Sequence, residues 1–258
     1  MLPDFLVVGA QRAGTTSLRT LLRLHPGAAL PAAKEVHHFD HAPLKGLAAY
    51  RAHFPLRTTV ARCGQALGRP LAVGEVSPYY LFHPLVPERV HAAIPQARIV
   101  CLLRNPTDRA LSHFRLEHRH GAETEQDFRR AWSLEKDRLH GAEEALAAPG
   151  GQHFGHVHFS YTARGDYAPQ VARWFERFGR ERVHVVLSEQ LFHGGGDALT
   201  GLLDFLGLDP LAAAPFPHAN PTRSSGEEAG LRAELDAHFL PRIEALEELL
   251  GRRTGWIS

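Results

Sequence analysis

The apolar run Phe5-Leu6-Val7-Val8 passes through Gly9-Ala10-Gln11-Arg12-Ala13-Gly14 into Thr15-Thr16-Ser17 and the periodic stretch LRTLLRLH. A strand that is apolar on both faces, ends in a glycine-containing turn and opens onto a helix commits the chain to a layered α/β arrangement, because both faces of the strand must be covered. The strand extends over DFLVVG (4–9), and three further runs share its character: PLAVGE (70–75), RIVCLLR (98–104) and RVHVVLSE (182–189). Helical patterns lie between them, over 16–25, 86–94, 106–121 and 166–179. The alternation predicts a P-loop-like three-layer sandwich, a central parallel β-sheet flanked by helices, as a single domain over 1–258. Ligands in such sheets bind beyond the carboxyl ends of the strands, so the loops after Gly9, Glu75 and Leu103 are expected to converge on one site. Residues 122–160 are helical in pattern and rich in His and Gly, and read as an insertion or lid. The amphipathic stretch 226–251 carries Pro241, where a kink or break is expected.

Charge and composition narrow the function classes. With 258 residues, 44% of them hydrophobic, the chain can bury a sizeable core. A net charge of +1 gives no bulk attraction to nucleic acid or to an anionic membrane, so any anion site depends on locally placed arginines. No apolar run approaches the roughly 20 residues of a membrane span, and the N-terminus carries no signal-peptide pattern. The expectation is a soluble, cytoplasmic protein with no nucleic-acid partner and no membrane insertion. Lysine occurs only at 34, 45 and 136, which with the alanine content fits the coding bias of a GC-rich bacterial gene. Cys101, inside an apolar run, reads as a core residue, and with only Cys63 besides no disulfide framework is implied.

The chemistry lies in two blocks. In the first, Gly9 and Gly14 permit a tight turn whose amides point inward, the helix beginning near Thr15 adds its positive end, and Arg12 supplies a fixed charge beside the hydroxyls of Thr15, Thr16 and Ser17. The Gly-x4-Gly spacing is that of a phosphate loop, but Gly14 is followed by Thr, where a nucleotide kinase has Lys, and no strand ends in an Asp suited to holding Mg²⁺. This favours a phosphate that needs no metal. In the second block, CLLRNPTDRALSHF, Arg104 ends a strand and Ser112 lies on the following helix, on the same side as Arg109, where a second phosphate can be held.

Together these blocks resemble the sulfotransferases that use 3′-phosphoadenosine-5′-phosphosulfate (PAPS), most closely the bacterial and heparan-sulfate-type branch. The resemblance implies that Arg12, Ala13, Gly14, Thr15, Thr16 and Ser17 bind the 5′-phosphosulfate and that Arg104 and Ser112 bind the 3′-phosphate. It extends to HPGAALPAAKEVHHFD (25–40), where it makes Glu35 the catalytic base with His37 and Asp40 in support, and to GEVSPYY (74–80). It also covers RGDYAPQVARWFERFG, which places Tyr167 among the nucleotide-binding residues, and NPTRSSGEE, which implies that Arg223 closes on the nucleotide. Two positions depart from the pattern: Arg12 stands for the usual Lys, and Val76 for a Lys that in heparan-type enzymes contacts substrate.

The resulting expectation is metal-free sulfuryl transfer from PAPS to a hydroxyl of a glycan, lipid or small metabolite, with Glu35 as general base and Arg12 stabilising the leaving phosphate. His37 is the alternative base, since an unperturbed imidazole titrates near neutrality. The clusters HHFDH (37–41) and HFGHVHF (153–159) contain metal-ligand types, but solvated or supporting histidines account for them. Two other readings stand beside this one: a P-loop kinase of a small molecule, and a nucleotide-binding protein that has lost turnover.

Overall fold

Five strands, β1 (Phe5–Gly9), β2 (Ala28–Ala29), β3 (Ala72–Val76), β4 (Arg98–Leu103) and β5 (Val183–Leu187), form one sheet in the order β2-β3-β1-β4-β5, with every pair parallel. The computed structural model describes residues 1–41, 46–193, 196–211 and 226–257, without the side chains of 226–228. The four apolar runs are the four long strands. Only the two-residue edge strand β2 had no signal, because Ala-Ala carries neither alternation nor β-branched residues. The helices are α1 (Thr15–Leu24), α2 (Gly46–Arg51), α3 (Arg57–Leu67), α4 (Val86–Ala93), α5 (Pro106–His120), α6 (Phe128–Ser133), α7 (Glu135–Arg138), α8 (Ala142–Ala147), α9 (Phe154–His158), α10 (Tyr167–Phe178), α11 (Ser188–His193), α12 (Asp197–Leu206) and α13 (Gly226–Leu250). Among the described residues, no helix is long and apolar enough to cross a membrane.

The chain divides into two compact units. Met1–Leu103 with Arg173–His218 form the first, which holds the whole sheet. The central strand β1 is buried along its length, with β3 and β4 on either side, so its carboxyl end is where the order of connections reverses. Phe5 is paired with Gly74, and a Cβ at Gly74 would collide with the Phe5 ring, which explains a glycine inside a buried strand. The β1–β4 register shifts between Val7 and Gly9, turning the chain out of the sheet into the loop that follows. Cys101 is a buried core thiol, pushed up from its ordinary value by burial, whereas Cys63 is exposed.

Arg104–Ala172 with Ala219–Ser258 form the second unit. Its core gathers Ala110 and Leu111 of α5, Phe128 and Ala131 of α6, Tyr161, and Leu231, Leu235, Phe239 and Ile243 of α13. Residues 122–160 are helical as expected, with four short helices. The expected break at Pro241 does not occur: α13 is assigned continuously through it. An interior proline costs about 3 kcal/mol. Phe239, Ile243 and Leu246, buried around it at about 1.5–3 kcal/mol each, outweigh that, and Arg242 Nη1 donates to the His238 carbonyl at 2.6 Å.

Candidate active site

The loop leaving β1 is shaped by two left-handed residues, Arg12 (φ 70°) and Gly14 (φ 93°). Gly14 is required twice over: L-residues avoid its φ, and a Cβ there would strike the Phe192 ring. The Ala10 amide is held by the Leu102 carbonyl at 2.5 Å and the Ala13 amide by Ala10 at 3.1 Å, so the loop is curled against β4. Gly14 then opens α1 with no side-chain cap. The first-turn amides of a helix have no intrahelical acceptor and carry its positive end, which makes this terminus suited to an anion. Ala13 and Thr15 are buried, Arg12 and Ser17 half-buried, and Thr16 exposed.

The segment that carries Glu35 is tethered on both flanks. On one flank Arg19 of α1 donates through Nη2 to the carbonyls of Pro31, Ala32 and Ala33 at 3.0, 3.1 and 2.9 Å, fixing the chain that leads to Glu35. On the other, the segment after β3 lies on the end of β1, with the amides of Ser77 and Leu81 on the carbonyls of Val7 and Val8 at 3.0 and 2.7 Å. Ser77 Oγ in turn accepts the Val36 amide at 3.2 Å.

At the centre, His37 Nε2 lies 3.1 Å from Glu35 Oε2 and Nδ1 lies 2.5 Å from Asp40 Oδ2. The Asp40 side chain is wholly buried, while 26% of the Glu35 side chain remains exposed. The Asp40 hydrogen bond, then the one to Glu35, raise His37 from 6.5 to about 10 against the opposing effect of burial. His37 is therefore an imidazolium at neutral pH, joining two carboxylates. Its backbone is also left-handed (φ 53°), and among the described residues only Arg12 and His37 are non-glycines with positive φ. Such strain, of order 1–3 kcal/mol, gathers at functional sites.

His37, Asp40 and His41 place ligand atoms within 4.8 Å of one another. The 2.5 Å contact between His37 and Asp40 is nevertheless that of a shared proton. Tetrahedral ligands around a zinc ion, with bonds near 2.0–2.1 Å, stand roughly 3.3 Å apart.

Arg104, Ser112 and Tyr167 belong to the second unit. Arg104 directly follows β4; its Nη2 is 3.9 Å from Asp108 Oδ2, and a third of the side chain is exposed. Asp108 is more tightly engaged by Arg232, at 2.8 Å. The Asn105 side chain accepts the Asp108 amide at 3.2 Å and caps α5, with Pro106 behind it. Tyr167 is buried, and its hydroxyl donates to the Arg104 carbonyl at 2.9 Å, bracing the turn that carries the guanidinium. Ser112 is half-buried. Arg109, three residues before it on α5, is fully buried and donates through Nη2 to the Tyr161 carbonyl. Arg223 lies outside the described residues.

Arg19, Tyr50 and Arg89, whose Nη1 donates to the Phe39 carbonyl at 2.7 Å, had no signal of their own in the sequence, and Glu75, Ser77 and Tyr80 lay in the resembling stretch 74–80 without a role of their own. Val76, where a substrate-contacting lysine was the family expectation, is buried at the end of β3 opposite Val7 and faces no solvent.

The chain has relatives among known proteins. Residues 2–214 match the family model described as sulfotransferase domain. The crystal structure of a sulfotransferase from Alicyclobacillus acidocaldarius superposes with a TM-score of 0.71 at 30% identity, covering 100% of both chains. A bifunctional heparan sulfate N-deacetylase/N-sulfotransferase of Drosophila melanogaster is 30% identical over 81% of this chain and 20% of its own length. A heparan sulfate glucosamine 3-O-sulfotransferase 6 of Homo sapiens is 28% identical over 86% of this chain and 57% of its own. The chain thus spans only part of these curated relatives. A sheet reversing at β1, a phosphate loop without its lysine and a family match over 2–214 lead to one assignment: the chain belongs to the sulfotransferase domain family.

Proposed function

We propose that this protein transfers a sulfuryl group from PAPS to a hydroxyl of a glycan, lipid or small metabolite. The observation that carries the proposal is the Glu35–His37–Asp40 array, a partly exposed carboxylate joined to a buried one through an imidazolium, on a segment tethered to α1 and to the segment leaving β3. PAPS supplies the sulfuryl group: a bond from the acceptor oxygen to sulfur forms as the bond from sulfur to the 5′-phosphate oxygen breaks. Glu35 takes the acceptor proton. The imidazolium of His37 orients that carboxylate and has no free nitrogen to accept a proton at neutral pH, which supports Glu35 over His37 as the base. Arg12, with the amides and hydroxyls of Gly14, Thr15, Thr16 and Ser17, holds the 5′ end and stabilises charge developing on the leaving phosphate. Arg104 and Ser112 hold the 3′-phosphate, with Tyr167 bracing Arg104.

These residues suit a bisphosphorylated nucleotide without metal: an uncapped helix terminus, Thr15 where a kinase has its lysine with the positive charge moved back to Arg12, and no aspartate ending the strand before the loop. The test is calorimetric titration with 3′-phosphoadenosine-5′-phosphate, 5′-AMP and Mg·ATP. Metal-free binding of the bisphosphate that weakens sharply without the 3′-phosphate is the expected result. Preference for Mg·ATP, or no binding at all, would overturn the proposal.

A further inference from the structure

Behind the Glu35 loop lies a carboxyl group that the proposed chemistry does not use. Glu75, in β3, is 1% exposed and receives hydroxyl protons from several sides. Ser77 Oγ donates to Oε1 at 2.6 Å, and the Tyr50 hydroxyl donates to Oε2. The buried Tyr80 hydroxyl is hydrogen-bonded to the same carboxyl. A carboxylate only accepts, and a hydroxyl has one proton to give. Spending that proton on Glu75 leaves the hydroxyl lone pairs facing elsewhere, and in two of the three they face the Glu35 loop. Ser77 Oγ accepts the Val36 amide at 3.2 Å. Tyr80 Oη accepts the amides of His38 and Phe39 at 2.9 and 3.3 Å. The amides held are those flanking His37, whose left-handed backbone aims its ring at both Glu35 and Asp40.

We propose that Glu75 is a positioning residue: through the Ser77 and Tyr80 hydroxyls it fixes the backbone on both sides of His37 and so sets the geometry in which the imidazolium holds Glu35. The kinetic part of this rests on the sulfuryl-transfer reading; the structural part does not. Burial pushes the Glu75 carboxyl above its ordinary range, and the hydrogen bonds from Ser77, Tyr50 and Tyr80 act in the opposite sense. Glu75→Gln preserves size but puts an amide donor where two or more hydroxyls need an acceptor. One hydroxyl must then receive from the amide, and its own proton turns toward the loop N–H it had accepted.

The experiment is an NMR titration of labelled histidine side chains in the wild type, Glu75→Gln and Tyr80→Phe, with kinetics on the same proteins. In the wild type the His37 resonance is expected to titrate near 10; in Glu75→Gln its midpoint should fall by at least about one pH unit toward 6.5 as the ring loses its aim. Turnover should fall about 10- to 100-fold, as expected when a reacting group is misplaced by an ångström or less, with the Kd for 3′-phosphoadenosine-5′-phosphate unchanged. A folded Glu75→Gln with His37 and kcat at wild-type values would overturn the proposal. If Glu75→Gln does not fold, Tyr80→Phe, which removes the acceptor of two loop amides and leaves the carboxyl in place, decides on the same readouts. If the wild type binds no bisphosphate and transfers no sulfuryl group, the functional reading fails, while the His37 midpoint still decides the role of Glu75.

Discussion

The pH dependence of turnover distinguishes the two candidate bases, because the structure sets their charge states far apart. His37 is raised to about 10, first by Asp40 and then by Glu35. At pH 7 only about one molecule in a thousand then carries neutral His37, from its pKa of about 10. Were His37 the base, kcat/KM would climb close to tenfold per pH unit from 7 toward 10. With Glu35 as base, the profile is expected to be flat between pH 7 and 9 and to fall near 10 as the imidazolium that orients it is lost. Asp40→Asn removes the largest cause of the His37 shift, so the alkaline fall should move down to between 6.5 and 10 while the plateau stays flat below it. Glu35→Gln should lower kcat by about 10²–10⁴, or roughly 3–5 kcal/mol in the barrier, and leave nucleotide affinity intact. The assay is initial rates with labelled PAPS and an acceptor taken from a screen, in buffers spanning pH 5 to 10.5. A wild-type slope of one between pH 7 and 9, with Glu35→Gln still active, would refute the assignment and make His37 the base.

Three further outcomes follow from the geometry. Gly14→Ala forces a side chain onto a φ of 93° and into the Phe192 ring; it should cost about 1–3 kcal/mol in urea denaturation and abolish bisphosphate binding by calorimetry. Tyr167→Phe leaves the Arg104 carbonyl without its donor, which should cost about 1 kcal/mol and weaken binding of the bisphosphate several-fold while hardly changing that of 5′-AMP. His37 gains its proton more readily in the folded state, so its contribution to stability is complete below 6.5 and is lost as pH rises through about 10. Urea midpoints of the wild type should therefore decline across pH 7 to 10 relative to those of His37→Asn, and parallel curves would contradict the ion-pair geometry.

What was readable in the sequence is what is local in the fold. The four long strands are contiguous Val-, Ile- and Leu-rich runs buried on both faces, so composition alone located them to within about two residues, and with them the loops at their carboxyl ends. The loop proposed to hold the 5′ end is local too, since Gly9 to Ser17 lie within one turn and one helix start. Tertiary packing decides what local pattern leaves open. The helix α13 runs on through Pro241, where a break was one expectation, with buried side chains on both sides, and the Arg109 guanidinium is committed to a carbonyl of a distant segment.

The same reasoning explains why half of the Glu35 environment was invisible. The acidic and imidazole groups 35, 37 and 40 sit in one short stretch and could be named from it, but what aims them comes from elsewhere in the chain. Ser77 reaches Val36 across 41 positions, Tyr80 reaches His38 across 42, and Tyr50 reaches Glu75 across 25. No spacing rule connects such residues; only β1 lying between β3 and β4 brings them together. Once the sheet order is known, the connection follows. The segment leaving β3 must run along the end of β1, and a buried acceptor in β3 can then orient hydroxyls toward whatever loop lies above. Identity of the reacting groups is therefore a property of sequence, whereas their charge state is a property of topology. His37 is an ordinary histidine until the fold encloses it between two carboxylates, and in the proposed chemistry that enclosure makes it the group that holds Glu35.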